Sequence, residues 1–118
     1  MNASPASYRS VFAPGLFGGQ VIVVTGGGSG IGRCTAHELA SLGAQVVLVG
    51  RKPEKLEAVK AEIEAAGGKA ATQAFDIRQE EAVRDAVRAI VAAHGRIDGL
   101  GNNAGGQYIT PLADISAK

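Results

Sequence analysis

Short hydrophobic runs alternate along the chain with longer stretches in which apolar residues recur every three or four positions. Such runs are typical of buried parallel strands, and such spacing is typical of amphipathic helices. We predict strands at 21–24, 45–49, 70–75 and 97–103, and helices at 33–42, 53–66 and 80–94. Because strands and helices alternate, they predict an α/β fold with right-handed crossovers, the first half of a doubly wound parallel sheet with strand order 3-2-1-4.

A glycine-rich turn joins the first predicted strand to the first predicted helix, with the spacing Thr25-Gly26-x-x-x-Gly30-x-Gly32. A tight turn of this kind leaves the first N–H groups of the helix unpaired, and these groups, with the helix dipole, bind phosphate. The spacing Gly-x-Gly-x-x-Gly does not fit in any register, and Arg33-Cys34 stand where a P-loop has Lys-Ser/Thr. The turn therefore predicts a pyrophosphate site, with a purely structural glycine turn as the alternative.

Two cations follow the second predicted strand, in the sequence Gly50-Arg51-Lys52, and the next carboxylate is Glu54. In dinucleotide-binding folds an acid at this point binds the ribose hydroxyls of NAD, whereas a base holds the 2′-phosphate of NADP. Arg51 and Lys52 therefore predict NADP(H) as the cofactor, with a solvated basic turn as the alternative.

Three motifs in succession resemble the short-chain dehydrogenase/reductase family, and the resemblance runs from about residue 12 to residue 116. The glycine turn matches the family's cofactor loop. Asp76-Ile77 matches the pair that contacts the adenine, and Asn102-Asn103-Ala104-Gly105 matches the signature that braces the sheet and borders the nicotinamide ribose. Gly101 departs from the pattern, because the family usually has a large apolar residue there.

The resemblance implies a Rossmann-type half-domain over 20–118, preceded by an apolar arm over 1–19 that packs against the body or a neighbouring subunit. Together with the basic turn, it implies cofactor contacts from Thr25, Gly26, Ser29, Gly30, Ile31, Gly32, Arg51, Lys52, Asp76, Ile77, Asn103, Ala104 and Gly105. It also implies a homo-oligomer, which in this family is commonly a tetramer.

Within the family, the stretches 12–16, 50–52 and 105–108 look most like trans-2-enoyl-CoA reductases of the peroxisomal type, with 2,4-dienoyl-CoA reductases close behind. This implies an NADPH-dependent oxidoreductase whose substrate is an acyl-CoA or another small carbonyl or enoyl compound. A 3-oxoacyl reductase of the same family, or a non-catalytic dinucleotide-binding module, is the alternative.

The family's catalytic Tyr-x-x-x-Lys has no match, because Leu112 follows Tyr108 and Phe12 follows Tyr8 at the required spacing. We therefore assign no catalytic residue and expect a chain cut short before the catalytic segment. Residues 1–118 alone should bind the cofactor, show no reductase activity and tend to self-associate.

Composition narrows the choice of partners and compartment. With 118 residues and a net charge of +1, the chain forms one domain with no electrostatic case for nucleic acid or an anionic membrane. No apolar run approaches the roughly 20 residues of a membrane span. One cysteine and no secretory layout indicate a reducing compartment, cytoplasmic or, in a eukaryote, peroxisomal. We predict that Cys34 lies in the core beside Ile31 and Leu42, and we assign no metal ligand.

Overall fold

The computed structural model describes residues 9–103, which contain four strands and three helices. The strands are β1 (Val21–Thr25), β2 (Gln45–Gly50), β3 (Lys69–Ala74) and β4 (Gly99–Asn102). The helices are α1 (Gly30–Ser41), α2 (Pro53–Ala65) and α3 (Glu80–His94). All strands pair in parallel, in the order β3-β2-β1-β4. The predicted α/β fold and strand order are therefore confirmed.

Two predicted starts differ from the structure by more than one residue: α1 begins at Gly30 rather than at residue 33, and β4 begins at Gly99 rather than at residue 97. Asp98 instead pairs with the start of β1: its N–H lies 2.7 Å from the Val21 oxygen, and its Oδ2 accepts the Val21 N–H at 2.7 Å. The Arg96 guanidinium donates to Asp98 Oδ1 at 2.6 Å, which lowers the pKa of that carboxyl. The hydrogen bonds between Asp98 and Val21 therefore stand where the first residues of the strand were predicted.

The hydrophobic core has two layers, one on each face of the sheet. Ile22, Val24, Val46 and Leu48 pack against α1 and α2, chiefly through Ala36, Ala40, Leu56, Val59 and Ile63. On the other face Val21, Val23, Val47 and Val49 pack against Ile90 of α3. Because neighbouring residues of β1 and β2 are buried on opposite faces, these strands are continuous hydrophobic runs rather than alternating ones.

The predicted burial of Cys34 is wrong, because this side chain is exposed. The buried residues of α1 are Gly32, Ala36 and Ala40, four positions apart along one stripe. Cys34 lies two residues from this stripe and so points roughly 200° away from it. Of the two residues predicted to lie beside Cys34 in the core, Ile31 is 77% exposed and only Leu42, at 2% exposed, is buried.

Two apolar surfaces are only partly buried within residues 9–103. Helix α3 buries Ile90, but its Val87 and Val91 are each 44% exposed. In the arm, Phe17 packs against the core, whereas Val11 is 96% exposed. None of the helices in this part of the chain combines the length and the apolar character needed to cross a membrane.

The contact between α1 and the end of β1 gives a first prediction. A Cβ on Gly32 would lie 2.0 Å from the carbonyl oxygen of Gly26, so Gly32→Ala must displace backbone. Alanine ordinarily favours a helix over glycine by about 1 kcal/mol, but overpacking of this kind costs about 1–3 kcal/mol. We expect Gly32→Ala to lower the free energy of unfolding, measured by urea denaturation.

Gly99→Ala is the matched control for this prediction. Its Cβ would meet only Ile22 side-chain atoms at 3.6 Å, which is an ordinary van der Waals contact. The control should change stability by less than about 0.5 kcal/mol. A Gly32→Ala variant as stable as the wild type would show that the close approach does not constrain this position.

Candidate dinucleotide-binding site

The candidate site lies at the carboxyl edge of the sheet, between β1 and β4. The chain runs outward from β1 through β2 to β3 and then returns to place β4 on the other side of β1. Open parallel sheets bind ligands where the strand order reverses in this way. The glycine loop follows β1 at this point, and Asn103 follows β4.

The glycine loop turns sharply between β1 and α1. Gly26 and Gly30 have φ angles of +68° and +56°, which residues with a side chain rarely adopt. The Gly26 N–H donates to the Val49 oxygen at 2.8 Å, which fixes the start of the loop to β2. Because Gly32 packs against the Gly26 carbonyl, the loop brings the start of α1 close to the end of β1.

The N-terminus of α1 is open, and its first backbone N–H groups have no hydrogen-bond acceptor within the helix. Ser29 caps the helix with an extended backbone, and its side chain makes no capping hydrogen bond. The backbone bond that opens the helix runs from Arg33 N–H to the Ser29 oxygen at 3.1 Å, so the amides of residues 30–32 have no acceptor in the helix. The first turn has no acid, and a Cβ on Gly30 would meet nothing within 4 Å. This open cradle fits a pyrophosphate group.

Arg51 and Lys52 lie next to the glycine loop, at the end of β2. Val49 pairs with Thr25 in the parallel ladder, so the two residues after Gly50 lie beside the loop that follows Thr25. Both side chains are exposed, and neither forms an ion pair with any of residues 9–103. Lys52 also caps α2, whose first residue is Pro53. This corner of the site is therefore cationic.

Asp76 follows β3 at the same edge. Its Oδ1 accepts the Arg78 N–H at 2.9 Å, and its Oδ2 accepts the Arg78 guanidinium at 2.8 Å. These bonds, with a smaller contribution from the charge of Arg51, lower the pKa of Asp76 to about 2. The carboxylate is therefore ionised at neutral pH and already has a cationic partner. Ile77, which follows it, is 37% exposed.

The Thr25 hydroxyl joins the ends of β1 and β4. Its Oγ1 accepts the Asn103 N–H at 2.9 Å and lies 3.3 Å from the Gly101 oxygen and from Asn102 Oδ1. Thr25 is 7% exposed. The hydroxyl therefore holds the backbone of Asn103 beside the glycine loop. The predicted site residues Ala104 and Gly105 lie outside the described residues.

A charged cluster that the sequence analysis missed ties α1 to α2. Glu62 accepts the Arg33 guanidinium at 2.9 and 2.6 Å through its two oxygens, and its Oε1 lies 3.0 Å from His37 Nε2. The Arg33 and His37 contacts lower the pKa of Glu62 to about 2, and Glu62 raises the pKa of Arg33. No local motif marks this pair, because its members are 29 residues apart.

This geometry defines a dinucleotide-binding α/β fold, and comparison with known proteins identifies the family. A family model described as short chain dehydrogenase matches residues 20–118. The chain therefore belongs to the short-chain dehydrogenase/reductase family of oxidoreductases.

Curated relatives in this family act on different substrates. A probable 2,4-dienoyl-CoA reductase of Bacillus subtilis is 40% identical over 97 residues, which are 82% of this chain and 38% of that protein. A gluconate 5-dehydrogenase of Gluconobacter oxydans is 46% identical over 107 residues, 89% of this chain and 42% of that protein. The chain thus spans about two fifths of the length of these relatives.

Solved structures share the same architecture. The citronellol catabolism dehydrogenase AtuB of Pseudomonas aeruginosa superposes with a TM-score of 0.82 at 62% identity, covering 93% of this chain and 45% of that one. A metagenomic short-chain oxidoreductase in complex with NADP superposes with a TM-score of 0.75 at 48% identity, covering 86% and 46%. An NAD⁺-bound xylitol dehydrogenase superposes with a TM-score of 0.76 at 38% identity, covering 86% and 39%.

The bridge made by Thr25 gives a second prediction. Thr25→Val keeps the shape of the side chain but leaves the Asn103 N–H without its acceptor, which should cost about 1–2 kcal/mol in urea denaturation. Thr25→Ser retains the hydroxyl and should recover most of the loss. Equal stability of the valine variant and the wild type would contradict the proposed tie between β1 and β4.

The low pKa of Glu62 gives a third prediction. A carboxyl whose pKa falls from 4.5 to about 2 on folding stabilises the protein above pH 4.5, and this stabilisation is lost as the pH falls toward 2. Because the pair is largely exposed, Glu62→Gln should cost no more than about 1 kcal/mol at neutral pH.

Unfolding of the wild type and of Glu62→Gln should be followed across this pH range. Their difference should disappear near pH 2, and Glu64→Gln, an exposed carboxyl on the same helix, is the control. A difference between wild type and Glu62→Gln that does not change with pH would show that the ion pair contributes nothing.

Proposed function

We propose that this chain binds NADP(H) and forms the cofactor-binding part of a short-chain oxidoreductase. The proposal rests on the position of Arg51 and Lys52, which follow β2 and lie beside the open glycine loop. No acid lies between the end of β2 and these two cations.

The pyrophosphate would bind at the N-terminus of α1. The amides of Gly30, Ile31 and Gly32 are donors without acceptors in the helix, and the dipole of α1 favours an anion there. The Ser29 hydroxyl makes no capping bond and is a further donor. The first turn of α1 holds no acid, so no carboxylate in that turn opposes the negative charge.

The adenosine 2′-phosphate would bind at the cationic corner formed by Arg51 and Lys52. A guanidinium donates two hydrogen bonds in a fixed plane to a phosphate, which makes it well suited to select NADP(H) over NAD(H). Asp76 lies at the same edge, but its charge is compensated by Arg78 and so opposes a dianion only weakly. In keeping with the family resemblance, we assign the adenine to Asp76 and Ile77.

The nicotinamide half would lie toward β4, where Thr25 holds the backbone of Asn103. By the family resemblance we assign the nicotinamide ribose to the stretch Asn103-Ala104-Gly105. A bound nicotinamide supplies the hydride of the reaction, and the residues of this chain bind and orient it. The proton-transferring groups would belong to the part of the fold that the longer relatives contain.

For the substrate we propose an acyl-CoA with an enoyl double bond. The 2,4-dienoyl-CoA reductase of Bacillus subtilis among the relatives supports this choice, whereas the gluconate 5-dehydrogenase marks a sugar-acid substrate as the alternative. A homo-oligomer, commonly a tetramer, acting in the cytoplasm or in a peroxisome, remains part of the same proposal.

The cationic corner gives a fourth prediction. Arg51→Asp replaces a cation by the acid typical of NAD-binding proteins, so it should cost about 1.5–3 kcal/mol of NADPH affinity and spare NADH. Isothermal titration calorimetry with both cofactors measures the two affinities directly.

Arg88→Asp is the control, because it makes the same change of charge on an exposed position of α3, away from the glycine loop. It should leave both affinities within about twofold of the wild type. Equal loss of NADPH and NADH binding in Arg51→Asp would contradict the assignment of the 2′-phosphate to this corner.

A further inference from the structure

We propose that Lys55, in the first turn of α2, is a third cation that selects for the 2′-phosphate of the cofactor. This inference rests on the proposed function, because it assumes that NADP(H) binds along the glycine loop. It adds a specificity-determining residue that no sequence motif marks.

The first turn of α2 packs directly against the glycine loop. A Cβ on Gly28 would lie 3.1 Å from the Cβ of Lys55 and 3.5 Å from Cδ2 of Leu56. Leu56 is 1% exposed and belongs to the main core cluster, so this turn is anchored. The stem of Lys55 therefore starts from a fixed position at the wall of the loop, while its side chain is exposed.

Lys55 lines an open depression of about 270 Å³ that adjoins the N-terminus of α1. The loop contributes Gly28, Ser29 and Gly30 to its lining, and the helices contribute Arg33, Lys55 and Glu62. The depression therefore lies between the amides proposed for the pyrophosphate and the helix that begins just after the cationic corner. A phosphate group on the adenosine ribose would be close enough to interact electrostatically with the charged residues that line this depression.

The three charged residues that line the depression do not contribute equally to its net charge. Arg33 and Glu62 neutralise each other through two hydrogen bonds, at 2.9 and 2.6 Å. Lys55 forms no ion pair with another residue in the described part of the chain. The net positive charge of the depression is therefore that of Lys55.

The position of Lys55 within the helix also favours an anionic ligand. Lys52 caps α2 and Lys55 lies in its first turn, where the helix dipole disfavours cations, and Glu54 is the acid of that turn. An anion bound beside these cations at the N-terminus of α2 would offset their unfavourable interaction with the helix dipole. The same anion would interact with Arg51, two residues before the helix.

The test compares two adenosine fragments, adenosine 2′,5′-bisphosphate and adenosine 5′-monophosphate, by calorimetry on the purified protein. Lys55→Ala should weaken binding of the bisphosphate by about threefold to tenfold, the range between an exposed ion pair and a charge-assisted bond, and change the monophosphate by less than about twofold. Lys55→Arg should retain the wild-type preference. The loss should shrink at high salt.

Lys60→Ala is the control, because Lys60 is a second lysine of α2 that does not line the depression. If Lys55→Ala binds the bisphosphate as Lys60→Ala does while Arg51→Asp still loses affinity, the inference is wrong and the proposed function stands. If Lys55→Ala weakens both fragments equally, Lys55 acts through the fold and the inference is also wrong. If the wild type binds both fragments equally well, the proposed cofactor preference fails and the inference fails with it.

Discussion

The close approach of α1 to the end of β1 is the constraint on which the site depends. A Cβ at Gly32 would lie 2.0 Å from the Gly26 oxygen, so the helix can begin this near to the strand only because Gly32 has no side chain. The approach places three amide donors at the point where the strand order reverses, and the positive φ angles of Gly26 and Gly30 complete the turn. The proposed phosphate site would thus be a consequence of packing rather than of any reactive side chain.

The electrostatics of the edge depend on which charges are paired. Two of the acids around the glycine loop already have cationic partners, because Glu62 is bound to Arg33 and Asp76 to Arg78. Arg51, Lys52 and Lys55 have no such partner among residues 9–103. A chain whose net charge is only +1 therefore presents a locally positive corner where a phosphate would bind. This contrast between local and net charge is the physical basis of the proposed preference for a dianionic group.

The sequence predicts the fold better than it predicts the contacts that hold the site. The hydrophobic runs and the helical spacing predict the individual strands and helices, since both depend on residues near one another in the chain. Their alternation then predicts parallel strands in the order 3-2-1-4. The predicted start of β4 and the predicted burial of Cys34 are wrong, because the Asp98–Val21 hydrogen bonds decide the first and the exact direction of a helix stripe decides the second. Two hydrogen bonds, Thr25–Asn103 and Arg33–Glu62, join residues that are 78 and 29 positions apart, so only the folded chain shows them. Membership of the short-chain dehydrogenase family, implied by the motifs, is shown by the match over residues 20–118.

We propose that the amides at the start of α1 and the cations after β2 bind one NADP(H) molecule. The most direct measurement is a titration of the isotope-labelled protein with NADPH, followed residue by residue in two-dimensional NMR spectra of the backbone amides. We expect the largest shifts on Gly30, Ile31 and Gly32 and on Arg51 and Lys52, and we expect them to saturate together at one equivalent of NADPH. Saturable shifts confined to α3, or no shift at the start of α1, would contradict this proposal.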